Sequence, residues 1–206
     1  RAPGLGAGAN IKVKGANASA SQIAIADEIL DVCMSYECSF RVMALTIACA
    51  TQESNMEDLN VGDAAHPDSH GPFGQWDGAY SPWNRTVSGA TKGFLIGTPA
   101  GDHFGMIEYD KKNPGHDFAD AIHQVQRNAS ENTYMYAKWK EEAGNTVRAY
   151  LGGAEAGSGG SVSIETEIPY AFERKKDENS WSCLGRLASE VKWRHFESAG
   201  MVYFVD

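Results

Sequence analysis

Glu53 closes a run of residues that is apolar almost all round. Phe40, Met43, Leu45, Ile47 and Ala48 fill every side of a helix beginning near Ser39, and such a helix belongs in the middle of a domain. The next stretch, Asn55 to Arg85, is crowded with Gly, Pro, Asp, Asn and His and reads as loop. A carboxyl group at this border is partly desolvated. Desolvation disfavours the charged form, raises the pKa and keeps a proton available for transfer. Cleavage of a glycosidic bond needs a donor of this kind at the leaving oxygen. The alternative is a helix-end glutamate that water simply solvates.

A second carboxylate would decide the reaction type. Inversion needs a base about 6.5–9.5 Å from the acid, and retention through an enzymic nucleophile needs about 5–5.5 Å. Asp63 and Asp68 are the candidates, since the loop can return them towards Glu53; as loop residues they serve equally well as Asx-type braces. Trp76, Tyr80 and Trp83 come later in the same loop. Aromatic faces stack on sugar rings, or else pack the loop onto the core. His66, Asp68 and His70, with Asp63, form a His/Asp cluster. No H-E-x-x-H or comparable spacing accompanies it, so neither a metal nor any other cofactor is expected, and a metal-dependent cell-wall endopeptidase is the weaker reading.

Taken in order, four segments resemble a known pattern: Thr51-Gln52-Glu53-Ser54-Asn55, Asp58-Leu59-Asn60-Val61-Gly62-Asp63, Asp68-Ser69, and Gly71-Pro72-Phe73-Gly74-Gln75. It is that of the lysozyme-like, soluble-lytic-transglycosylase-related domains in phage tail and cell-wall proteins of actinobacteria. There a helix ends in Q-E-S, and N-L-x-x-G-D, D-S and G-L-F-Q-Q come after it. Ala119-Asp120-Ala121-Ile122-His123-Gln124-Val125-Gln126 resembles the later A-x-A-V-Q-x-V-Q stretch, and Tyr134-Met135-Tyr136-Ala137-Lys138-Trp139 the tyrosine-bearing helix. The likeness covers residues 22–151. It implies a mostly helical lysozyme-like fold and cleavage of the β-1,4 link between N-acetylmuramic acid and N-acetylglucosamine. Glu53 would be the acid, with Gln75 and Tyr134 among the residues that hold the glycan. Two departures stand out: Gly74 occupies the place of the first Gln after G-L-F, and Ala64-Ala65-His66-Pro67 lengthens the loop between Asp63 and Asp68.

The elements that must position these residues are set by pattern and punctuation. Residues 1–20 are Gly/Ala/Ser-rich and read as a flexible linker, with a short strand at 11–14. Ser19 or Ser21 caps a helix running to about Tyr36, with Ile23, Leu30 and Cys33 at helical spacing. Residues 86–115 are ambiguous, with one helix expected within 102–112; further helices are expected from Asp117 and over 134–150. Residues 152–160 form a Gly-rich linker, so the catalytic-looking domain spans 21–151.

Residues 161–206 change character, with a strand at 162–168, an amphipathic helix at 181–191 and a hairpin over 193–205. Ser180-Trp181-Ser182-Cys183-Leu184-Gly185-Arg186-Leu187-Ala188, Trp193-Arg194 and Val202-Tyr203-Phe204 resemble a segment of phage tail-tip or baseplate hub proteins. About 46 residues would be marginal alone, so 161–206 reads as part of a larger tail-protein domain. The expected class is α+β: a mostly helical lysozyme-like domain followed by a small strand-helix-hairpin segment.

The chain has 206 residues and a formal net charge of −9, with Arg174-Lys175-Lys176 as its only basic run. It is therefore a poor grip for nucleic acid or anionic membrane. The apolar stretch near Val42 to Ala50 is far short of a membrane span, and residues 1–20 lack the apolar core of a secretory signal. Cys33, Cys38, Cys49 and Cys183 show no framework spacing and are expected reduced. The expected partners are a peptidoglycan glycan strand and other subunits of a homo-oligomeric phage tail, assembled in the host cytoplasm and acting at the wall. The competing class is a catalytically silent structural or glycan-binding tail module.

Overall fold

The computed structural model describes residues 3–6, 8–60, 62, 67–127 and 134–152, and the backbone of 194–198 and 201–205. The chain divides into two units, 1–160 and 161–206. The coarse class is α+β: eight α-helices among the described residues, with short antiparallel hairpins.

The N-terminal segment differs from the expected linker. Strands β1 (Lys12–Val13) and β2 (Ala16–Asn17) pair antiparallel around Lys14 and Gly15, both in the left-handed region at φ 51° and 82°. Two such residues make the tight primed turn whose twist suits a hairpin. Leu5, Ile11 and Val13 are buried in the core, and the Gly4 amide donates to the Tyr150 carbonyl at 3.0 Å. The composition is that of a tether, but three apolar side chains with a surface to cover are enough to dock it.

Ser19 begins the first helix. Its hydroxyl accepts from the Gln22 amide while the Gln22 side chain accepts from the Ser19 amide, a reciprocal capping box that opens α1 (Ala20–Ser35). Ile23, Ala26, Ile29, Leu30 and Cys33 form its buried stripe. Ser19→Ala is expected to cost about 1 kcal/mol, read as a lowered denaturant midpoint at unchanged slope.

The expected central helix is α2 (Phe40–Ser54), capped by the Ser39 hydroxyl. Every residue from Val42 to Thr51 is buried, because the other helices pack around it. These are α1, α4 (Val87–Ile96), α5 (Met106–Lys112), α6 (Phe118–Gln126), α7 (Tyr134–Ala137) and α8 (Lys140–Gly152). The helix expected over 134–150 is thus two, α7 and α8, with a turn at Lys138 and Trp139. Helix α4 lies where the sequence is ambiguous. Between α2 and α4 lie a hairpin of β3 (Ser69–His70) and β4 (Gln75–Trp76), the short helix α3 (Asp77–Tyr80) and a 3-10 turn at Trp83–Arg85.

Of 161–206, the backbone shows the expected hairpin: β5 (Arg194–Ser198) pairs antiparallel with β6 (Met201–Val205), from Arg194↔Val205 to Ser198↔Met201. The strand at 162–168, the helix at 181–191 and Cys183 lie outside the described residues. No helix among those described is long and apolar enough to cross a membrane.

Candidate active site

Glu53 stands on the last turn of α2, one residue before the helix ends. Asn55 stops it in the left-handed conformation, at φ 57°, with its amide donating to the Thr51 carbonyl. Partial burial at the end of α2 pushes the Glu53 carboxyl above its ordinary pKa. Two groups oppose that rise: the Tyr136 hydroxyl, which donates to Oε1, and the positive charge of Lys14. Desolvation is the larger effect, so the carboxyl holds its proton to higher pH than a surface glutamate.

The β3–β4 hairpin lies beside Glu53, with register Ser69↔Trp76 and His70↔Gln75. Its turn is Gly71-Pro72-Phe73-Gly74, with both glycines at positive φ. A Cβ at Gly74 would stand 3.9 Å from Oε2 of Glu53, so this glycine lies beside the carboxyl. The turn is held from two sides. The Phe73 ring stacks on Phe94 of α4 at 5.0 Å, and Gln126 Nε2 at the end of α6 donates to the Phe73 carbonyl at 2.9 Å.

The end of α2 is tied from two further elements. Lys14 Nζ donates to the Gln52 carbonyl at 3.2 Å, a cation at the helix's negative end. Trp139 Nε1 donates to Gln52 Oε1 at 2.8 Å. Lys14 is in turn placed by Glu142 of α8, whose two carboxylate oxygens accept from the Lys14 and Gly15 amides at 2.8 and 2.9 Å. The acid is therefore set by α2, α7, α8 and the N-terminal hairpin together.

Several expected site residues take other positions. The tyrosine that reaches the acid is Tyr136, fully buried, whereas Tyr134 is 63% exposed with Lys138 Nζ 5.3 Å from its ring centroid. Two residues on a helix are about 200° apart, so both cannot face α2. Gln75 turns inward: Nε2 donates to the Ala90 carbonyl at 2.9 Å, and the amide lies under Gly93 of α4, where a Cβ would meet it at 3.1 Å. That position makes it a brace between hairpin and helix. Asp68 is exposed at the hairpin base, its carbonyl accepting from the Asp77 amide, and Asp63 lies outside the described residues.

Of the aromatics, Trp76 is 58% exposed with its indole across Gly78. Tyr80 is half-buried against Gly93, and the half-buried Trp83 carries Lys92 Nζ 3.9 Å from its ring centroid. His70 is buried between Asp77, 3.4 Å from its Nε2, and Arg85, 3.5 Å from its Nδ1. Arg85 also pairs with Asp77, and the Asn84 amide donates to Asp77 Oδ1 and to the Gln75 carbonyl. This histidine therefore fastens the hairpin to α3 and the 3-10 turn. Among the described residues no group of three or more His, Cys, Asp or Glu could hold a metal ion; His66 lies outside them.

Tyr136, Gln126, Trp139 and Lys14 do not stand out as site residues in the sequence. Gln126 has a usable signal, since it follows Ile122 by one helical turn and so shares a core-facing stripe. In comparison with known proteins, no family model matches this chain and no curated protein does.

Tyr136→Phe removes a hydrogen bond to the ionised form of Glu53, so the carboxyl is expected to rise further. If Glu53 works as an acid, the alkaline limb of its pH–rate profile moves to higher pH, and the rate at the optimum falls by up to about tenfold. A pH–rate profile of the variant against the native chain checks both.

Proposed function

We propose that this chain is a muralytic enzyme that cleaves the β-1,4 bond between N-acetylmuramic acid and N-acetylglucosamine, with Glu53 as general acid. The observation that carries this reading is the Glu53 site: a carboxyl raised by burial, steadied by the Tyr136 hydroxyl, with the turn glycine Gly74 beside it. A protonated carboxyl so placed donates to the leaving oxygen as the sugar gains oxocarbenium character. The electron pair of the broken bond stays on that oxygen, and Glu53 is left as the carboxylate.

The carboxylate can then take a proton back. If it comes from the C6 hydroxyl of the same sugar, the product is a 1,6-anhydro end. If it comes from water, the product is a reducing end, with the substrate's N-acetyl group or an aspartate such as Asp63 or Asp68 assisting. The exposed Trp76 and the half-buried Tyr80 and Trp83 supply faces on which sugar rings stack. With a net charge of −9, binding of an anionic wall rests on such contacts and not on a cationic surface.

The setting we propose is a phage tail. Its support is the sequence likeness of 180–204 to tail-tip or baseplate hub segments, and a glycosidase there would open the wall locally during entry. The activity test is direct: purified peptidoglycan should release soluble muropeptides at the same rate with and without a chelator. Chelator-sensitive release would point to the metal-dependent endopeptidase, and no release to a silent tail module.

A further inference from the structure

Helix α1 ends in a Schellman motif. The Glu37 amide donates to the Met34 carbonyl and the Cys38 amide to the Cys33 carbonyl, each at 3.0 Å, with Glu37 left-handed at φ 53°. In this motif the two residues joined by the longer bond bring their side chains together, usually as a hydrophobic contact. Both are cysteines here. We propose that Cys33 and Cys38 are a closable dithiol, which thiol–disulfide exchange converts into a staple across the α1–α2 corner.

The geometry suits the bond. Disulfides span Cα separations of about 4.4–6.8 Å, and a direct main-chain hydrogen bond between the two residues holds them near that range. The free thiols are within hydrogen-bonding reach of one another. Their environments differ. Cys33 is fully buried, whereas Cys38 is half-buried and directly precedes Ser39, the cap of α2. The hydrogen bond from Cys33 holds the Cys38 thiol below its ordinary pKa, while that contact and burial push Cys33 well above.

Cys38 is therefore the attacking thiolate and Cys33 the resolving thiol. The oxidant is a small-molecule disulfide of the glutathione class. Cys38 attacks one of its sulfurs, the small-molecule S–S bond breaks, and the departing thiolate takes up a proton. Cys33 then loses its proton and attacks Cys38 in the mixed disulfide, expelling the second small thiol. Two protein thiols become one disulfide, and one small disulfide becomes two thiols. The closed bond would fix the corner from which the Glu53-bearing helix starts, and it does not depend on what that helix does.

The test incubates the full chain with excess oxidised glutathione, alkylates the remaining thiols and maps the peptides by mass spectrometry. A Cys33–Cys38 link without retained glutathione is expected, together with a rise of about 5 °C in the thermal midpoint that reductant reverses. Cys33→Ser should instead keep a stable glutathione adduct on Cys38, because the resolving thiol is gone. A persistent adduct on Cys38 of the native chain, a Cys38–Cys183 link, full alkylation of both thiols, or an unchanged midpoint would each overturn the proposal.

Discussion

Glu53→Gln is expected to lower muropeptide release by about 10²–10⁴-fold, the usual worth of a positioned proton donor. The same substitution is expected to stabilise the fold at neutral pH. The sign comes from linkage. The folded-state pKa of Glu53 is raised above its unfolded value, so between the two the folded state binds more protons than the unfolded. Stability contributed by this group is full below the unfolded pKa and is lost as pH rises through the folded one. At neutral pH the carboxylate is a net cost that the neutral amide does not carry. Gln also keeps an acceptor for the Tyr136 hydroxyl. Activity and thermal midpoint should therefore move in opposite directions above the raised pKa, and the gain in midpoint should shrink as pH falls. A thermal series across pH, run beside the release assay, reads both. A midpoint that drops at neutral pH would mean that Glu53 is a structural residue.

Gly71→Ala is expected to destabilise the chain by about 2–5 kcal/mol and to reduce release with it. Gly71 sits at φ 70°, which costs a residue with a Cβ roughly 1–2 kcal/mol. Its Cβ would also lie 2.9 Å from the Ala90 Cβ and 3.0 Å from the Asn84 carbonyl oxygen. Neither neighbour is the free end of a long side chain, so the hairpin must shift away from α4, an overpacking cost of about 1–3 kcal/mol. That shift would carry Gly74 and Gln75 with it and disturb the surroundings of Glu53. Gly115→Ala separates strain from clash: φ there is 78° but nothing lies within 4 Å of the added methyl. It should cost only the conformational part. Denaturant midpoints of both variants give the difference, and equal losses would contradict the packing of the hairpin against α4.

Much of this arrangement is legible in the sequence because the physics is local. The boundaries of α1 and α2 are set by Ser19 and Ser39 as caps and by apolar periodicity, and Glu53 stands out because buried helix and polar loop meet at it. Helix α6 is announced by Asp117, whose side chain accepts from the Ala119 and Asp120 amides. Helix α4 is hidden by its own composition. Gly89, Gly93 and Thr91 lower its propensity, and Gly93 is there because Gln75 and Tyr80 approach too closely for a side chain. The docking of Gly4 and Lys14 depends on Tyr150 and Glu142, more than a hundred positions away, and no window of sequence contains that contact. Tyr136 is hidden behind Tyr134 because the rotation of so short a helix is set by what α7 packs on.

We propose that this chain breaks a sugar–sugar bond with a proton from Glu53. Mass spectrometry of the soluble products from purified peptidoglycan tests it most directly, with the native chain and Glu53→Gln side by side. The native chain should yield disaccharide peptides ending in N-acetylmuramic acid, in the reducing or the 1,6-anhydro form, with stem peptides intact, and Glu53→Gln should yield almost none. Cut stem peptides with intact glycan, or equal glycan cleavage by both proteins, would contradict it.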